Sequence, residues 1–444
     1  MTGSSALMAI GHIFFCYILF FSFHANKPFV YGTGVVEKQK SRALPGPARG
    51  LKVFHRFGPS SPSGHKKSSA TSSRVLVQDE RRVKDFYSTI YNRERNVRIR
   101  AHDPHFGHTV GAGNYIIEVR LGTPARTFNL ILDTGSYATW VRCQPCLQGR
   151  CPEQQEKMYY PSCSSTYLKA PCWPSCNYSQ SYYDKSYSSG FFVLDTLAIE
   201  PFQVPNFAFL CAQNYSESFG EASGILALGQ GSTSTSEPFG VYSLVSQTAT
   251  TFDKVFCHCL PTAENSAGYV YFGKEALEKC QNSGTYTPLL TNPGNPSLYY
   301  VNLIAITIGK QRLEMPSVSS PRTIIDSGTV ISRLPSSVYS KLSSEFKELM
   351  SNYPVASSDG ILDTCYDLQG HYNYTIPKMV LHFENLDVNL DQIAVTWRRE
   401  NSSRVCLAFA GADDLTIIGS EQLQKLNVLY NIQDRKVGIE PGNC

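Results

Sequence analysis

From Asn114 onward, short runs rich in β-branched and aromatic residues alternate with clusters of turn residues. Runs at 115–119, 128–132, 191–199, 269–272, 299–308 and 378–383 have the composition of strands on a pleated, half-buried surface. Helical spacing is sparse. Residues 338–350 (VYSKLSSEFKELM) are the clearest case and read as a packing helix. Ahead of this body lies a Pro/Ser/Gly/Lys/Arg-rich stretch. It is followed at 74–90 by Val75, Val77, Val83, Phe86 and Ile90 at helix-like intervals. The pattern predicts an all-β body with few short helices, preceded by a weakly structured segment carrying one amphipathic helix.

The strand pattern contains an internal repeat. Leu130-Ile-Leu-Asp-Thr-Gly-Ser136 recurs as Thr323-Ile-Ile-Asp-Ser-Gly-Thr329. A second element recurs as well. Gly224-Ile-Leu-Ala-Leu-Gly229 begins 91 residues after Asp133, and Gly419 of Leu415-Thr-Ile-Ile-Gly419 lies 93 residues after Asp326. Two element types, each present twice at nearly equal spacing, predict two homologous β lobes with a boundary near 285–300.

Charge sharpens the division. The whole chain of 444 residues carries a formal net charge of +4. Residues 1–108 hold 17 Lys+Arg against 6 Asp+Glu, or +11, which leaves −7 for 109–444. An acidic body argues against nucleic acid as a partner. The basic cluster Arg81, Arg82 and Lys84 belongs to a segment that charge could hold over an acidic cleft.

Of the 14 cysteines, 13 lie between Cys143 and Cys444. The spacing of Cys143, Cys146, Cys151, Cys163, Cys172 and Cys176 is open to a zinc reading. With few histidines nearby, disulfides fit better, and no metal is expected. An odd number leaves one thiol over, and it is expected in the close pair Cys257 and Cys259. The apolar run at 7–23 reads as a secretory signal, with an uncleaved anchor as the alternative. Sequons at Asn177, Asn214, Asn373 and Asn401 have meaning only on the secretory route.

The repeat carries chemistry. A strand delivering Asp into a tight turn presents a carboxylate, and the following Gly lets backbone N–H groups approach it. Thr134, Ser136, Ser327 and Thr329 can donate further hydrogen bonds, and Gly135 and Gly328 complete the turns. One such turn alone would be a structural Asx turn. Two, in paired lobes, can bring Asp133 and Asp326 together, where they share a proton and act as general acid and base at once. Glycoside hydrolysis also uses two carboxyl groups, but it gives no reason for a symmetric turn signature. A Ser-His-Asp hydrolase lacks its Gly-x-Ser-x-Gly elbow here.

Asp133-Thr-Gly-Ser136 and Asp326-Ser-Gly-Thr329 resemble the motifs of pepsin-type aspartic proteases. Trp140-Val-Arg-Cys143-Gln-Pro-Cys146, Leu121-Gly-Thr-Pro124, Leu362-Asp-Thr-Cys-Tyr-Asp367 and Cys406-Leu-Ala-Phe-Ala-Gly411 resemble the plant nepenthesin-like branch. The prosegment phrases His55-Arg-Phe-Gly-Pro59 and Gln78-Asp79 with Arg82-Val83 are similar too. The resemblance implies a bilobal pepsin-like double β-barrel with a cleft between the lobes. It also implies an aspartic endopeptidase made as a zymogen, acting on proteins and peptides at acid pH. No cofactor is expected. Its own propeptide is an expected partner, the mature form is expected to be a monomer with no stable membrane span, and the location is extracellular or, alternatively, vacuolar. The expected organisation is a signal at 1–25, a propeptide at 26–109, an N-terminal lobe at 110–290 and a C-terminal lobe at 291–444. Asp133 and Asp326 are the implied catalytic pair. Tyr182 matches the Tyr of a flap over the cleft and Trp140 the residue that steadies it. Cys143, Cys146, Cys151, Cys163, Cys172, Cys176, Cys211, Cys259, Cys365, Cys406 and Cys444 are disulfide candidates. The flap departs from its relatives, reading Tyr182-Tyr-Asp-Lys-Ser186 where Gly usually follows the Tyr. That departure keeps one alternative in view, a non-catalytic binding or inhibitor protein of the plant cell wall on the same fold.

Overall fold

The computed structural model describes residues 50–62, 69–94, 114–144, 158–170, 177–181, 187–215, 222–231, 243–264, 267–281, 283–292, 295–316, 323–399, 402–413 and 415–444. All of them fall in the unit Pro45–Cys444. The elements that position the site begin with β1 (Leu51–His55), α1 (Ser69–Glu94), β2 (Tyr115–Leu121), β3 (Arg126–Asp133) and β4 (Trp140–Arg142). They continue with β5 (Tyr187–Ile199), β6 (Phe202–Tyr215), β7 (Gly224–Ala227), β8 (Val255–Cys259) and β9 (Gly268–Phe272). The second half supplies β10 (Thr323–Ile325), β11 (Ser332–Pro335), α2 (Ser336–Leu349), β12 (Phe409–Ala412), β13 (Thr416–Ile418), β14 (Leu426–Asn431) and β15 (Lys436–Pro441).

Every run expected to be a strand is one. The run at 299–308 divides into Tyr300–Val301 and Leu303–Ile308. The expected helix at 338–350 is α2, which buries Val338, Tyr339, Leu342 and Phe346 at helical spacing. Strand burial follows the pleat where one face meets water: along β9, Gly268, Val270 and Phe272 are buried while Tyr269 and Tyr271 are half-buried. The strands that end at the two aspartates behave differently. The last four residues of β3 and all three of β10 are buried, as continuous apolar runs between packed layers require.

The sequence repeat is a repeat of strand pairing. In the first half β3 pairs parallel with β7, β4 runs antiparallel to β7, and β4 pairs parallel with β6. In the second half β10 pairs parallel with β13, β11 runs antiparallel to β13, and β11 pairs parallel with β12. The two recurring sequence elements are therefore adjacent strands in each copy.

A single sheet joins the two halves. In it β15, β14, β8, β9, β1, β2 and β3 follow one another. The N-terminal strand β1 lies in its interior, paired antiparallel with β9 on one side and β2 on the other.

Helix α1 is much longer than the expected element, and its buried face differs by one position. Val75, Val83 and Phe86 are buried as expected, but Val77 is 49% exposed and Leu76 takes the inward place. Val75 and Leu76 pack with Val330, Ile331, Leu362 and Trp397, and Val83 and Phe86 pack with Tyr300, Ile324 and Ile417. The inward stripe runs 75–76, 79, 82–83, 86, the 3.6-residue period of a helix. It therefore also buries Asp79 and Arg82, each at 0% exposure.

The disulfides correct one expectation. Cys257 pairs with Cys280 and Cys259 with Cys444, so neither member of the close pair is the spare thiol. Adjacent alternate positions on β8 point the same way, but each finds its own partner, one on the helix Gly273–Cys280 and one at the C-terminus. Cys143–Cys211 and Cys365–Cys406 also form, and Cys163 is disulfide-bonded. Cys146, Cys151, Cys172 and Cys176 lie outside the described residues. Asn177, Asn214 and Asn373 are exposed, and Asn401 is outside the described residues.

Candidate active site

Asp133 is the last residue of β3, and Asp326 directly follows β10. Each enters its turn from the parallel pair that its half of the chain repeats. The backbone N–H of Gly135 donates to Asp133 Oδ1 at 2.8 Å, and that of Gly328 donates to Asp326 Oδ1 at 2.9 Å. The turns also grip each other. Thr134 N–H donates to Ser327 Oγ at 3.1 Å, and Ser327 N–H donates to Thr134 Oγ1 at 3.0 Å. This reciprocal pair fixes the two turns against one another across 193 residues of sequence.

Glycine is required at 135 and 328 by close approach. A Cβ on Gly135 would lie 2.5 Å from Asp326 Oδ1, and one on Gly328 would lie 2.5 Å from Asp133 Oδ1. The hydroxyls break the symmetry. Thr329 Oγ1 donates to Asp326 Oδ2, while the buried Ser136 Oγ has no hydrogen-bond partner among the described residues.

A group from α1 occupies the space between the aspartates. Arg82 donates from Nη2 to Asp133 Oδ1 at 2.7 Å and from Nη1 to Asp133 Oδ2 at 3.1 Å. It donates from Nε to Asp326 Oδ2 at 3.0 Å and from Nη2 to Asp326 Oδ1 at 3.0 Å. A planar guanidinium alone among side chains presents a fork that can serve two carboxylates at once. The Phe86 ring supports it from below, 5.0 Å from the guanidinium carbon. Burial pushes the Asp326 carboxyl above its ordinary value; Arg82 pulls it down, and Asp133 raises it again. Burial opposes the charge on Arg82, but the two carboxylates together outweigh it and hold the guanidinium more firmly protonated than in water.

A second charged group of α1 lies one turn earlier. Asp79 Oδ1 accepts from Val330 N–H at 2.6 Å, and Asp79 Oδ2 accepts from Ile331 N–H at 3.2 Å and from Arg333 Nη2 at 3.0 Å. Glu80 adds a contact to Arg333 at 3.3 Å. Of the basic cluster in this segment, only Arg82 reaches the aspartates. Arg81 is exposed, and Lys84 pairs on the surface with Glu80 at 3.4 Å.

Trp140 is buried at the start of β4, among Ile116, Ile131, Tyr178 and Phe192. Tyr182 and the rest of the expected flap tip lie outside the described residues. The described residues contain no group of three or more His, Cys, Asp or Glu placed to hold a metal ion, and no helix long and apolar enough to cross a membrane.

Residues 114–441 match the family model for eukaryotic aspartyl proteases. The chain belongs to this family. The aspartyl protease AED1 of Arabidopsis thaliana is 36% identical over 423 residues, covering 89% of this chain and 86% of the relative. Another aspartyl protease family protein of the same plant is 35% identical, with 89% and 87% covered. The aspartic proteinase nepenthesin-2 of Nepenthes gracilis is 28% identical over 358 residues, covering 75% of this aspartyl protease family chain and 78% of the relative. Among solved structures, the basic 7S globulin from soybean superposes with a TM-score of 0.57 at 20% identity, covering 74% of this chain and 94% of that one. Conglutin gamma, a basic 7S globulin from lupine seeds, gives 0.57 at 19%, with 74% and 91% covered. At that identity the likeness is one of fold.

Around Arg82, this aspartyl protease family site holds two buried carboxyl groups on interlocked turns.

Proposed function

We propose that this chain is a secreted aspartic endopeptidase made in latent form, and that α1 is the plug of its catalytic dyad. The observation that carries the reading is the Arg82 fork, which spans Asp133 and Asp326 and takes up the hydrogen-bonding oxygens of both carboxylates. In the open form the ionised carboxylate takes a proton from a water molecule as its oxygen attacks the peptide carbonyl carbon. The protonated carboxyl gives its proton to the carbonyl oxygen, forming a tetrahedral diol. That intermediate collapses as one of its hydroxyls gives its proton to the carboxylate now ionised, the C–N bond breaks, and the amine leaves with the proton held by the other carboxyl, so the dyad again carries one proton. The disulfides, the apolar run at 7–23 and the exposed sequon residues support passage through the secretory route.

The test is cleavage of a denatured protein by the acid-incubated full chain, with and without pepstatin. Activity is expected at acid pH and is expected to disappear in Asp133→Asn and Asp326→Asn. Activity that survives both substitutions overturns the assignment. A non-catalytic binding protein would cleave nothing at any acid pH. Two intact Asp-x-Gly turns with a counter-ion built to neutralise them weigh against that alternative.

A further inference from the structure

Arg333 is 1% exposed and sits in β11, within the copy of the repeat that holds Asp326. Its partners divide into two kinds. One belongs to the body: Nη1 donates to the Ile331 carbonyl at 2.5 Å. The others, Asp79 and Glu80, belong to α1, which must leave for the dyad to work. The Asp79 carboxylate is also held by two successive backbone N–H groups, Val330 and Ile331. A guanidinium with two convergent N–H groups is a carboxylate receptor. When α1 leaves, the receptor loses its anion and keeps its buried cation, which strongly favours another carboxylate in the same place.

The location bears on substrate. Asp79 and Arg82 are i and i+3 on one helix, so their side chains start about 5–6 Å apart. Arg82 marks the dyad. An extended peptide advances about 3.3 Å per residue, so the receptor lies within one to three residues of the bond to be cut.

We infer that Val330 N–H, Ile331 N–H and Arg333 form a subsite for an acidic side chain of the substrate, and that Asp79 is its stand-in in the latent chain. This rests on the proteolytic reading for its consequence but not for its binding chemistry. Arg333 acts as a specificity-determining residue and not on the reacting atoms.

The test uses the acid-incubated full chain and, in parallel, the full chain carrying Asp79→Ala and Arg82→Ala, which releases α1 from its two fully buried charged holds. Peptide pairs differing only by Glu against Gln at each of the three positions on either side of the scissile bond are compared for kcat/KM. Reduced-amide versions of the same pairs are compared for binding by fluorescence anisotropy. At one position the Glu peptide is expected to be preferred about tenfold or more, chiefly through KM, as a charged hydrogen-bonded pair provides. Arg333→Gln is expected to bring that ratio close to one, and Arg333→Glu to turn the preference toward Lys. Equal cleavage and equal binding of Glu and Gln peptides at every position overturn the inference. So does a Glu preference that Arg333→Gln leaves in place. Tighter binding of the Glu reduced-amide peptide without any cleavage supports the subsite while overturning the proteolytic reading.

Discussion

Gly135 faces the carboxylate of Asp326 across the junction of the two halves, and Gly328 faces that of Asp133 in the same way. Neither position has room for a methyl group, because Arg82 Nη2 also lies 2.6 Å from each hypothetical Cβ. Gly135→Ala and Gly328→Ala are expected to destabilise the protein by about 1–3 kcal/mol through overpacking. Thermal unfolding at neutral pH checks this. Loss of cleavage should exceed what the change in stability explains, since the same methyl intrudes between the two carboxyl groups.

Arg82→Ala should convert the full chain from latent to open. It removes four charge-assisted contacts and leaves two buried carboxyl groups without a counter-ion. Breaking such a pair costs about 3–5 kcal/mol where the residual charge stays buried. The expected outcomes are a lower melting temperature at neutral pH and at least a tenfold rise in pepstatin affinity of the unprocessed chain. Arg81→Ala, on the exposed side of the same helix, should change neither. Isothermal titration of the three full-length proteins decides it.

Latency should fail with acid, and the sign follows from Asp326. Its proton affinity is raised by burial and by Asp133 and lowered by Arg82. When α1 lifts, the lowering disappears, so the open form binds a proton more readily than the closed one. Closure is then fully favoured above the open-form pKa and is lost as pH falls through the Arg82-held value. Pepstatin binding to the full chain should rise steeply from neutral to acid pH. In Arg82→Ala the same curve should be much flatter.

Cys259–Cys444 ties the end of the chain to β8 across 185 residues. The chain-entropy account assigns a loop of that length about 5 kcal/mol, with about 2–5 typical of measured losses. Cys444→Ser should lower thermal stability by an amount in that range. Non-reducing peptide mapping of the wild-type protein should recover Cys257–Cys280 and Cys259–Cys444 as separate links.

The dyad and the doubled strand framework were readable because both are local: Asp-Thr-Gly-Ser and Asp-Ser-Gly-Thr are contiguous, and each sits at the end of an apolar strand. What closes the site was not readable in the same way. A search for apolar periodicity in 74–90 finds Val75, Val83 and Phe86 and passes over Asp79 and Arg82, although these complete the same stripe. It also selects Val77, which faces solvent, because hydrophobicity alone cannot choose between Leu76 and Val77. The signal was present as charge at inward helical positions, which is informative because burying it unpaired is so costly. Arg333 gave no signal at all, since its carboxylate partners are 253 and 254 residues away. The pairing of Cys257 and Cys259 with separate partners was likewise a matter of three-dimensional placement.

Strand β1 has a bearing on timing. A cut anywhere between α1 and β2 leaves the severed piece laced into the sheet by Leu51, Lys52 and Val53 on one flank and by Val53, Phe54 and His55 on the other. The product of such a cut is a two-chain complex whose smaller chain must unzip from both neighbours and expose two raw strand edges before it can diffuse away. Nicking the chain and losing the smaller piece are then separate events. The interval between them is a first-order lifetime independent of protein concentration, so the molecule carries its own delay.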